Sequence, residues 1–419
     1  MGIIHKALKI RMYPNSKQAE ILNKNLGASR AIFNMMLFER KNIYEQLKDS
    51  KRELYDHKYK TEKQYKEEYS WLKEDIDSQS LQQARIDLSN AYSNFFKSLS
   101  GKRKGKSGFP KFKKKKTGSS YRTMMTNNNI QLDFEKNKVK LPKLGWINFN
   151  DKRRNINGVI KSATVSRTST GKYFVSILIE EELYLDDGID LDSIPKAKVL
   201  GLDMSLSNFF VDQNGNSPAY ERLYRKYEPT LKKAQRQMSK KKQGSKNWYK
   251  ALRQVCLIHE KIANKRKDFT QKLTTDLVRK YTVIVIENLN LKAMSQCLNL
   301  GKSIMDLGYS SFVHQLRYKT LWNNKVLIEA DKWFASSKTC SKCGYIKKDL
   351  TLGDRVWACP SCETEHNRDQ NAGQNLQNYG LKEIGLEPPE FKLVESNTSA
   401  NLIIQDGKYG QRNKKRKGL

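Results

Sequence analysis

Residues Ser336–Asn375 read SSKTCSKCGYIKKDLTLGDRVWACPSCETEHNRDQNAGQN and carry two C-x-x-C pairs, Cys340 with Cys343 and Cys359 with Cys362, fifteen residues apart. Zinc prefers four tetrahedral thiolates, and each C-x-x-C turn presents two sulfurs to one ion. The separation falls in the range of zinc sites, and Gly344 and Pro360 suit the tight turns of a zinc ribbon. Two disulfides or four idle cysteines are the bland alternatives; spacing and context favour one structural Zn²⁺. Seven residues past Cys362, Asp369 opens a helix in HNRDQNAGQN. The ribbon's four ligand positions are already full. Asp369 is therefore either a helix N-terminal charge favoured by the dipole or one member of a carboxylate group completed elsewhere.

Upstream, Val326–Ala330 reads as a strand and Gly308–Asn323 as a helix. Thr282–Glu287 (TVIVIE) is a buried strand ending in an acid, and so is Ala197–Asp203 (AKVLGLD). Between them, Asn208–Gln213, the Asn214-Gly215 turn and a third short run read as a hairpin. Arg222–Lys250 has eleven Lys or Arg and one acid, and together with Ala251–Lys280 reads as a long basic helical region. Asp203, Glu287 and Asp369 thus fall on two strand ends and a late helix. Two Mg²⁺ ions about 3.5–4 Å apart need several carboxylates to hold them, and this hard cation takes oxygen ligands. A strand-end acid alone is more often a solvated cap, and only a fold can bring these three together.

Further out, His5–Met12 alternates as a strand, and from Lys17 a helical period runs to Leu47 with Asn15 or Ser16 as N-cap. A second helix covers Ser80–Ser98. Gly101–Lys116 (GKRKGKSGFPKFKKKK) holds nine Lys or Arg and no acid. Such a run is usually solvated surface, but Phe109, Pro110 and Phe112 interrupt it. The favoured reading is a nucleic-acid backbone contact that includes Lys111 and Lys113. Residues 121–182 turn to β character, with turns at Asn137 and Gly171, and with the first strand they can close a small barrel. Leu183–Lys196 is an acidic linker. Beyond about Gly380 the pattern fades into a tail read as disordered, with a final basic cluster of Arg412, Lys414, Lys415, Arg416 and Lys417.

The chain has 419 residues, 79 Lys plus Arg against 44 Asp plus Glu, and a formal net charge of +35. That excess asks for a polyanion, and 10% aromatic residues leave rings for stacking on bases. A membrane is the poorer candidate, because no 18-residue apolar run and no basic amphipathic anchor is present. The N-terminus lacks a signal-peptide h-region, and Lys6 stands where a myristoylation motif wants Ser or Thr. A reducing compartment, the cytosol, follows as the expectation, with four of the six cysteines in a metal pattern. Cys256 and Cys297 read as plain thiols.

The words GLDMSLSNFFVDQNG, IVIENLNLKAM, SSKTCSKCG and HNRDQNAGQNL together resemble the TnpB family, the RNA-guided nucleases of insertion sequences, whose RuvC core type V CRISPR effectors share. KIRMYPNSKQAEILNKNLGASRAIFN and GFPKFKKKK with KLPKLGWI extend the resemblance over nearly the whole chain. It implies a multidomain α+β protein. An RNase H-like (RuvC) α/β core spans 197–335 and 366–380, with the zinc ribbon inserted at 336–365. A β-barrel wedge domain covers 1–14 and 117–182, and a helical recognition domain is inserted at 15–116. A linker at 183–196 and a tail at 381–419 complete the division. Carried onto this chain, the catalytic acids are Asp203, Glu287 and Asp369, and the cysteines match the family's zinc insertion. Ser205 stands where the family commonly has glycine, and Asn367 where it commonly has Asp.

The implied activity is Mg²⁺-dependent cleavage of double-stranded DNA beside a short motif, directed by a structured guide RNA from the transposon end. Gln82, Gln83, Tyr121 and Thr123 are the candidates for an A/T-rich motif, since Gln can pair both edges of adenine and Thr can pack on the thymine methyl; ordinary surface is the alternative for each. The competing functions are an RNA-guided DNA-binding protein that has lost cleavage, or a miniature type V CRISPR effector on the same core. Retention of all three acids favours an enzyme. A tyrosine transposase needs a paired His metal motif, and His5, His57, His259, His314 and His366 offer none.

Overall fold

The computed structural model describes residues 2–103, 105–115, 119–151, 156–183, 194–297, 300–351, 353–385 and 402–403. The chain divides into two compact units, Ile3–Glu182 and Leu183–Leu419.

The first unit begins with β1 (Gly2–Tyr13), then α1 (Ser16–Leu47), α2 (Lys51–Asp56), α3 (Glu62–Glu68) and α4 (Ser78–Leu99). Six strands follow: β2 (Ser119–Met124), β3 (Gln131–Asp133), β4 (Lys138–Leu141), β5 (Gly145–Phe149), β6 (Val159–Arg167) and β7 (Tyr173–Leu183). The sheet order is β2-β6-β7-β1-β5-β4-β3, so the helices are an excursion between the central strand and the rest. Among the described residues β2 and β3 stand at the two ends of this order. Asn137 (φ 52°) makes the tight β3–β4 turn, a conformation Asn tolerates better than most side chains. Asn15 caps α1 in a reciprocal box with Gln18, whose amide also donates to the Trp146 carbonyl at 2.9 Å. Ile10, Val139, Ile147, Val165, Val175 and Ile177 fill the sheet core. Ile32, Leu37, Leu72, Leu81 and Leu88 fill a separate core among the helices. The helices α2 and α3 carry little sequence signal because α2 buries nothing and α3 buries Tyr65.

The second unit is built on β8 (Val199–Ser205), β9 (Phe209–Asp212), α5 (Leu223–Ser239), α6 (Lys246–Lys280), β10 (Val283–Ile286), α7 (Leu291–Cys297), α8 (Gly301–Leu307), α9 (Tyr309–Trp322) and β11 (Val326–Glu329). After these come the ribbon strands β12 (Val356–Ala358) and β13 (Glu365–Asn367), α10 (Arg368–Glu383) and β14 (Leu402–Ile403). Five strands pair in the order β14-β11-β10-β8-β9, with β8, β10 and β11 parallel. These parallel strands are buried on both faces, hence their unbroken Val, Ile and Leu runs. Leu200, Leu202, Ile284, Ile286 and Leu327 face a core shared with Leu277, Phe312 and Leu316 of α6 and α9. Val199, Val283, Val285, Val326 and Ile328 face the opposite core, with Leu376 and Leu381 of α10.

Three sequence expectations are corrected. β9 pairs with β8, and no third run completes a hairpin at Asn214-Gly215 among the described residues. There the Asp212 carboxylate takes the backbone N–H groups of Asn214 and Asn216, both at 2.8 Å, and closes a turn instead. The last helix does not stop at residue 380: α10 runs to Glu383, and Leu381 and Ile384 are buried. A tail beginning at 381 is therefore too long. Leu402–Ile403 adds a short antiparallel strand to β11. The linker at 184–193 and the tail at 386–401 and 404–419, with its basic cluster, lie outside the described residues.

Helix α10 lies directly on β8 because glycines remove the side chains between them. A Cβ on Gly201 would stand 2.1 Å from the Gly373 carbonyl oxygen, and one on Gly373 would meet Asp212 backbone at 2.7 Å. Gly380, two turns on, makes room for a side chain instead, since its Cβ would stand 2.4 Å from a Val285 methyl of β10. Gln377 bridges the seam by donating to the Val199 carbonyl at 2.8 Å. Gly201→Ala is expected to cost about 3 kcal/mol, because rigid backbone rather than a flexible side chain would have to yield. Thermal melts of the purified chain check this. Gly353→Ala is the control, with only Thr351 Oγ1 at 3.7 Å nearby, and should leave the melting temperature unchanged.

Candidate metal centres

Strand register brings the first two acids together. β8 and β10 run parallel with Leu202 opposite Ile286, so the next step along both strands sets Asp203 beside Glu287. Side chains alternate along a strand. Val199 and Gly201 face α10, as do Val283 and Val285, so Asp203 and Glu287 share that face. Asp369 sits in the first turn of α10, where the Asn367 side chain accepts the backbone N–H of both Asp369 and Gln370 at 3.2 Å. Asp203 is 9% exposed. Burial, then the charges of Glu287 and Asp369, push its carboxyl well above the usual range. Burial also raises Glu287, opposed by a 2.5 Å hydrogen bond from Ser336 Oγ and by the Arg368 charge. The three groups therefore sense one another in a site poor in water, an arrangement that favours a bound cation.

Two arginines flank these acids, and sequence reading singled out neither. Arg355, on the ribbon, reaches both oxygens of Asp369 at 3.4 Å. Arg368 donates to the Thr351 carbonyl, and its charge lowers the proton affinity of Asp203 and Glu287.

The four cysteine sulfurs lie within 4.8 Å of one another, with Cys340 to Cys362 at 3.6 Å and Cys343 to Cys359 at 3.5 Å. A tetrahedral Zn–S distance of about 2.3 Å implies S–S separations of about 3.8 Å. The donor set and its spacing fit zinc. Among the described residues this is the one group of metal-type donors gathered so tightly; the three carboxylates stand further apart. Thr364 pulls the Cys362 thiol down to about 6, whereas burial pushes Cys340 up to about 12. His366 on β13 also approaches Cys340 Sγ, with Nε2 at 3.0 Å, and its ring lies against Trp357.

The ribbon is fastened to α10 beside the acids. Asn371 donates to the Thr339 carbonyl at 2.7 Å, and Asn375 to the carbonyls of Ser336 and Thr339 at 2.7 and 2.6 Å. Ser336 in turn donates to Glu287. This link from α10 through the ribbon's entry to a carboxylate was hidden in sequence, because Asn and Ser at those positions read as ordinary helix and loop polarity.

Residues 185–298 match a family described as "Probable transposase", residues 309–376 a "Cas12f1-like, TNB domain", and residues 1–49 a "Helix-turn-helix domain". The "Putative RNA-guided DNA endonuclease InsQ" of Escherichia coli K12 is 31% identical over 392 residues, covering 88% of this chain and 91% of that one. A relative from Streptomyces pristinaespiralis, named a "Putative RNA-guided DNA endonuclease", is 31% identical over 385 residues, covering 91% and 90%. The chain belongs to the TnpB family. In fold, this TnpB-family chain is similar to the protein in a cryo-EM structure of a Cas12f1–sgRNA–target DNA complex. The TM-score is 0.51 at 14% identity, covering 90% of this chain and 99% of that one. The stretch matching the helix-turn-helix description forms one strand and one long helix, β1 and α1.

Ser205, where TnpB proteins commonly have glycine, is buried in extended β8 and shares a 2.9 Å hydrogen bond with Ser207. The serine therefore fits without backbone strain. The DNA-motif candidates fare unevenly. Tyr121 is buried in the sheet core opposite Val165, and Thr123 is fully buried opposite Ala163. This corrects both as direct base contacts, because alternation along β2 turns them inward. Gln83 is buried on α4, and Gln82 beside it is partly exposed. In the basic run, Phe109 packs edge-on against Tyr92 and Phe95, and Asn34 binds both the N–H and C=O of Lys113. Lys113 pairs with Asp87 at 3.3 Å and lies over the Phe33 ring, whereas Lys111 is exposed. Cys256 is a half-buried free thiol on α6, and the Cys297 side chain lies outside the described residues. No described helix is long and apolar enough to cross a membrane.

Proposed function

We propose that the chain is a transposon-associated, RNA-guided DNA endonuclease whose phosphodiester cleavage runs at Asp203, Glu287 and Asp369. The observation that carries this is the β8–β10 register, which sets the buried Asp203 beside the partly exposed Glu287, with the third acid on the first turn of α10. An all-oxygen, acidic donor set, with Asp203 buried and Glu287 and Asp369 open in part to solvent, fits Mg²⁺. When bound, Mg²⁺ supplies an activated water and charge stabilisation for the leaving oxygen. The chain's own residues hold these carboxylates in place: Ser336 orients Glu287, Asn367 fixes the turn that carries Asp369, and the glycine seam sets the height of α10 over β8. Arg355 balances Asp369 and is suited to a phosphate brought to the site.

In this reading the second unit is a RuvC core with its zinc ribbon. The seven-stranded sheet serves as the wedge, and α1–α4 with the basic run as the recognition part. Guide RNA and target DNA meet the anchored run near Lys111 and the basic hairpin α5–α6, and Gln82 remains a candidate for an A/T-rich adjacent motif. The relatives' names and the Cas12f1-like fold support this reading.

The test is purification with bound RNA. Sequencing should return one transcript from the transposon end, retained at low salt and lost steeply as salt rises, since each neutralised phosphate releases counterions. The complex should cut matching double-stranded DNA when Mg²⁺ is added. Random cellular RNA fragments together with uncut DNA would reject the proposal.

A further inference from the structure

Trp333 lies in the segment joining β11 to the ribbon and is 79% exposed, the most exposed large apolar side chain described in its unit. A ring of that size left in water contributes nothing to the core, yet the backbone carrying it is fixed. The Asp331 carboxylate accepts the Trp333 N–H at 2.8 Å, and the Asp331 carbonyl accepts the Phe334 N–H at 3.1 Å. Asp331 N–H donates to the Tyr379 hydroxyl at 3.4 Å. Phe334, the next residue, does the packing, with its ring 4.8 Å from Tyr379 of α10. The Lys332 ammonium stands 4.6 Å from the Trp333 ring centroid.

The place of this turn gives the ring its meaning. β10 and β11 are parallel, and Ala330 N–H continues their ladder to the Ile286 carbonyl at 2.9 Å. Asp331 therefore leaves the sheet at the same end as Glu287. Three residues beyond Trp333, Ser336 binds Glu287, and three residues of chain span at most about 10 Å. A solvent-facing indole on a fixed backbone turn, with an adjacent cation, thus stands within about one nucleotide step or two of the carboxylates.

We propose that Trp333 is a stacking platform for an unpaired nucleobase of the strand entering the carboxylate site, with Lys332 meeting that strand's phosphate. Every base has a π-face, so the contact holds the strand without reading its sequence. Because the turn's backbone is already fixed, binding need order only the indole and the incoming base. Trp333 is a positioning residue: it touches the base beside the reacting phosphate and leaves the chemistry to the acids. The assignment rests on the nuclease reading above for the identity of the entering strand.

The experiment uses the full-length protein with its bound RNA and target strands that each carry one 2-aminopurine, stepped through the cut region. Stacking on Trp333 should quench one or two positions. Trp333→Ala should abolish that quenching, and Trp333→Tyr should keep most of it, with unchanged melting temperatures for both. In single-turnover cleavage, Trp333→Ala should slow the intact strand about tenfold, the size of one lost base–aromatic stack. It should have no further effect on a strand made abasic at the quenched position. Quenching that survives Trp333→Ala overturns the proposal, and so does an equal slowing on the abasic strand. A wild-type complex that quenches but does not cut would sink the nuclease reading and leave the stacking site standing.

Discussion

Asp203→Ala should reduce guided DNA cleavage at least about a thousandfold while RNA and target binding stay within about twofold. The reason is burial. Asp203 is buried beside Glu287 and Asp369 and is no part of an exposed basic surface, so on the proposed reading its loss removes a metal ligand and little else. A second measurement separates a catalytic from a structural role. In the absence of divalent cations the charges of Glu287 and Asp369 act on the buried Asp203, opposed among the described residues by Arg368 and Arg355. Asp203→Asn should then raise the melting temperature in EDTA by about 2–4 °C, since it removes one member of the cluster. The wild-type chain should gain stability on Mg²⁺ addition, and the Asn variant should gain much less. Wild-type cutting by Asp203→Ala would remove this site from the mechanism, and a lower melting temperature for Asp203→Asn in EDTA would make Asp203 a structural residue.

The legible parts of this site were those whose chemistry is local. The two C-x-x-C pairs announce a metal because each half of the ligand set closes within one turn and the halves lie only fifteen residues apart. TVIVIE and AKVLGLD announce buried strands with acids at their ends because a two-sided strand must be apolar throughout. What joins the acids is not local. Gly201, Gly373 and Gly380 read singly as weak points in a strand and a helix, and their purpose appears only when β8 and α10 are seen in contact. Arg355 sits in a loop-like stretch of the ribbon, and nothing in DRVWACP says that it will face Asp369. Tyr121 and Thr123 show the opposite error. Both are plausible base readers by residue type, but β2 alternates, and the phase that buries Tyr121 also buries Thr123. The basic run was legible through its interruptions: Phe109 does anchor it, on Tyr92 and Phe95. Its lysines are divided in a way that charge counting could not reveal, with Lys113 turned to Asp87 and Phe33.

Removing zinc should slow the nuclease at least about a hundredfold, although the cysteines are not among the acids' hydrogen-bond partners. A four-thiolate site contributes about 10–16 kcal/mol of binding free energy to the segment that folds around it. The ribbon has little else to hold it, since its core consists of Leu350, Trp357 and the cysteines themselves. Without the metal, Cys340 and Cys359 become buried thiols with no partner ion, and the entry segment Ser336–Thr339 loses its anchor. That segment supplies the carbonyls bound by Asn371 and Asn375 and the hydroxyl bound by Glu287. Supports of this kind around a metal-binding residue are typically worth about 10–100-fold in affinity or activity. The Cys340→Ser, Cys359→Ser double variant should therefore contain almost no zinc, against one equivalent in the wild type, and cut at least about a hundredfold more slowly with Mg²⁺ in excess. Its RNA affinity should stay within about threefold, because the basic run and the α5–α6 hairpin are built without the ribbon. Limited proteolysis should find new cleavage between residues 345 and 355. A wild-type protein holding less than about half an equivalent of zinc under reducing conditions would refute the four-thiolate site. A zinc-free variant that cuts at full speed would refute the link from the ribbon through Ser336 to Glu287.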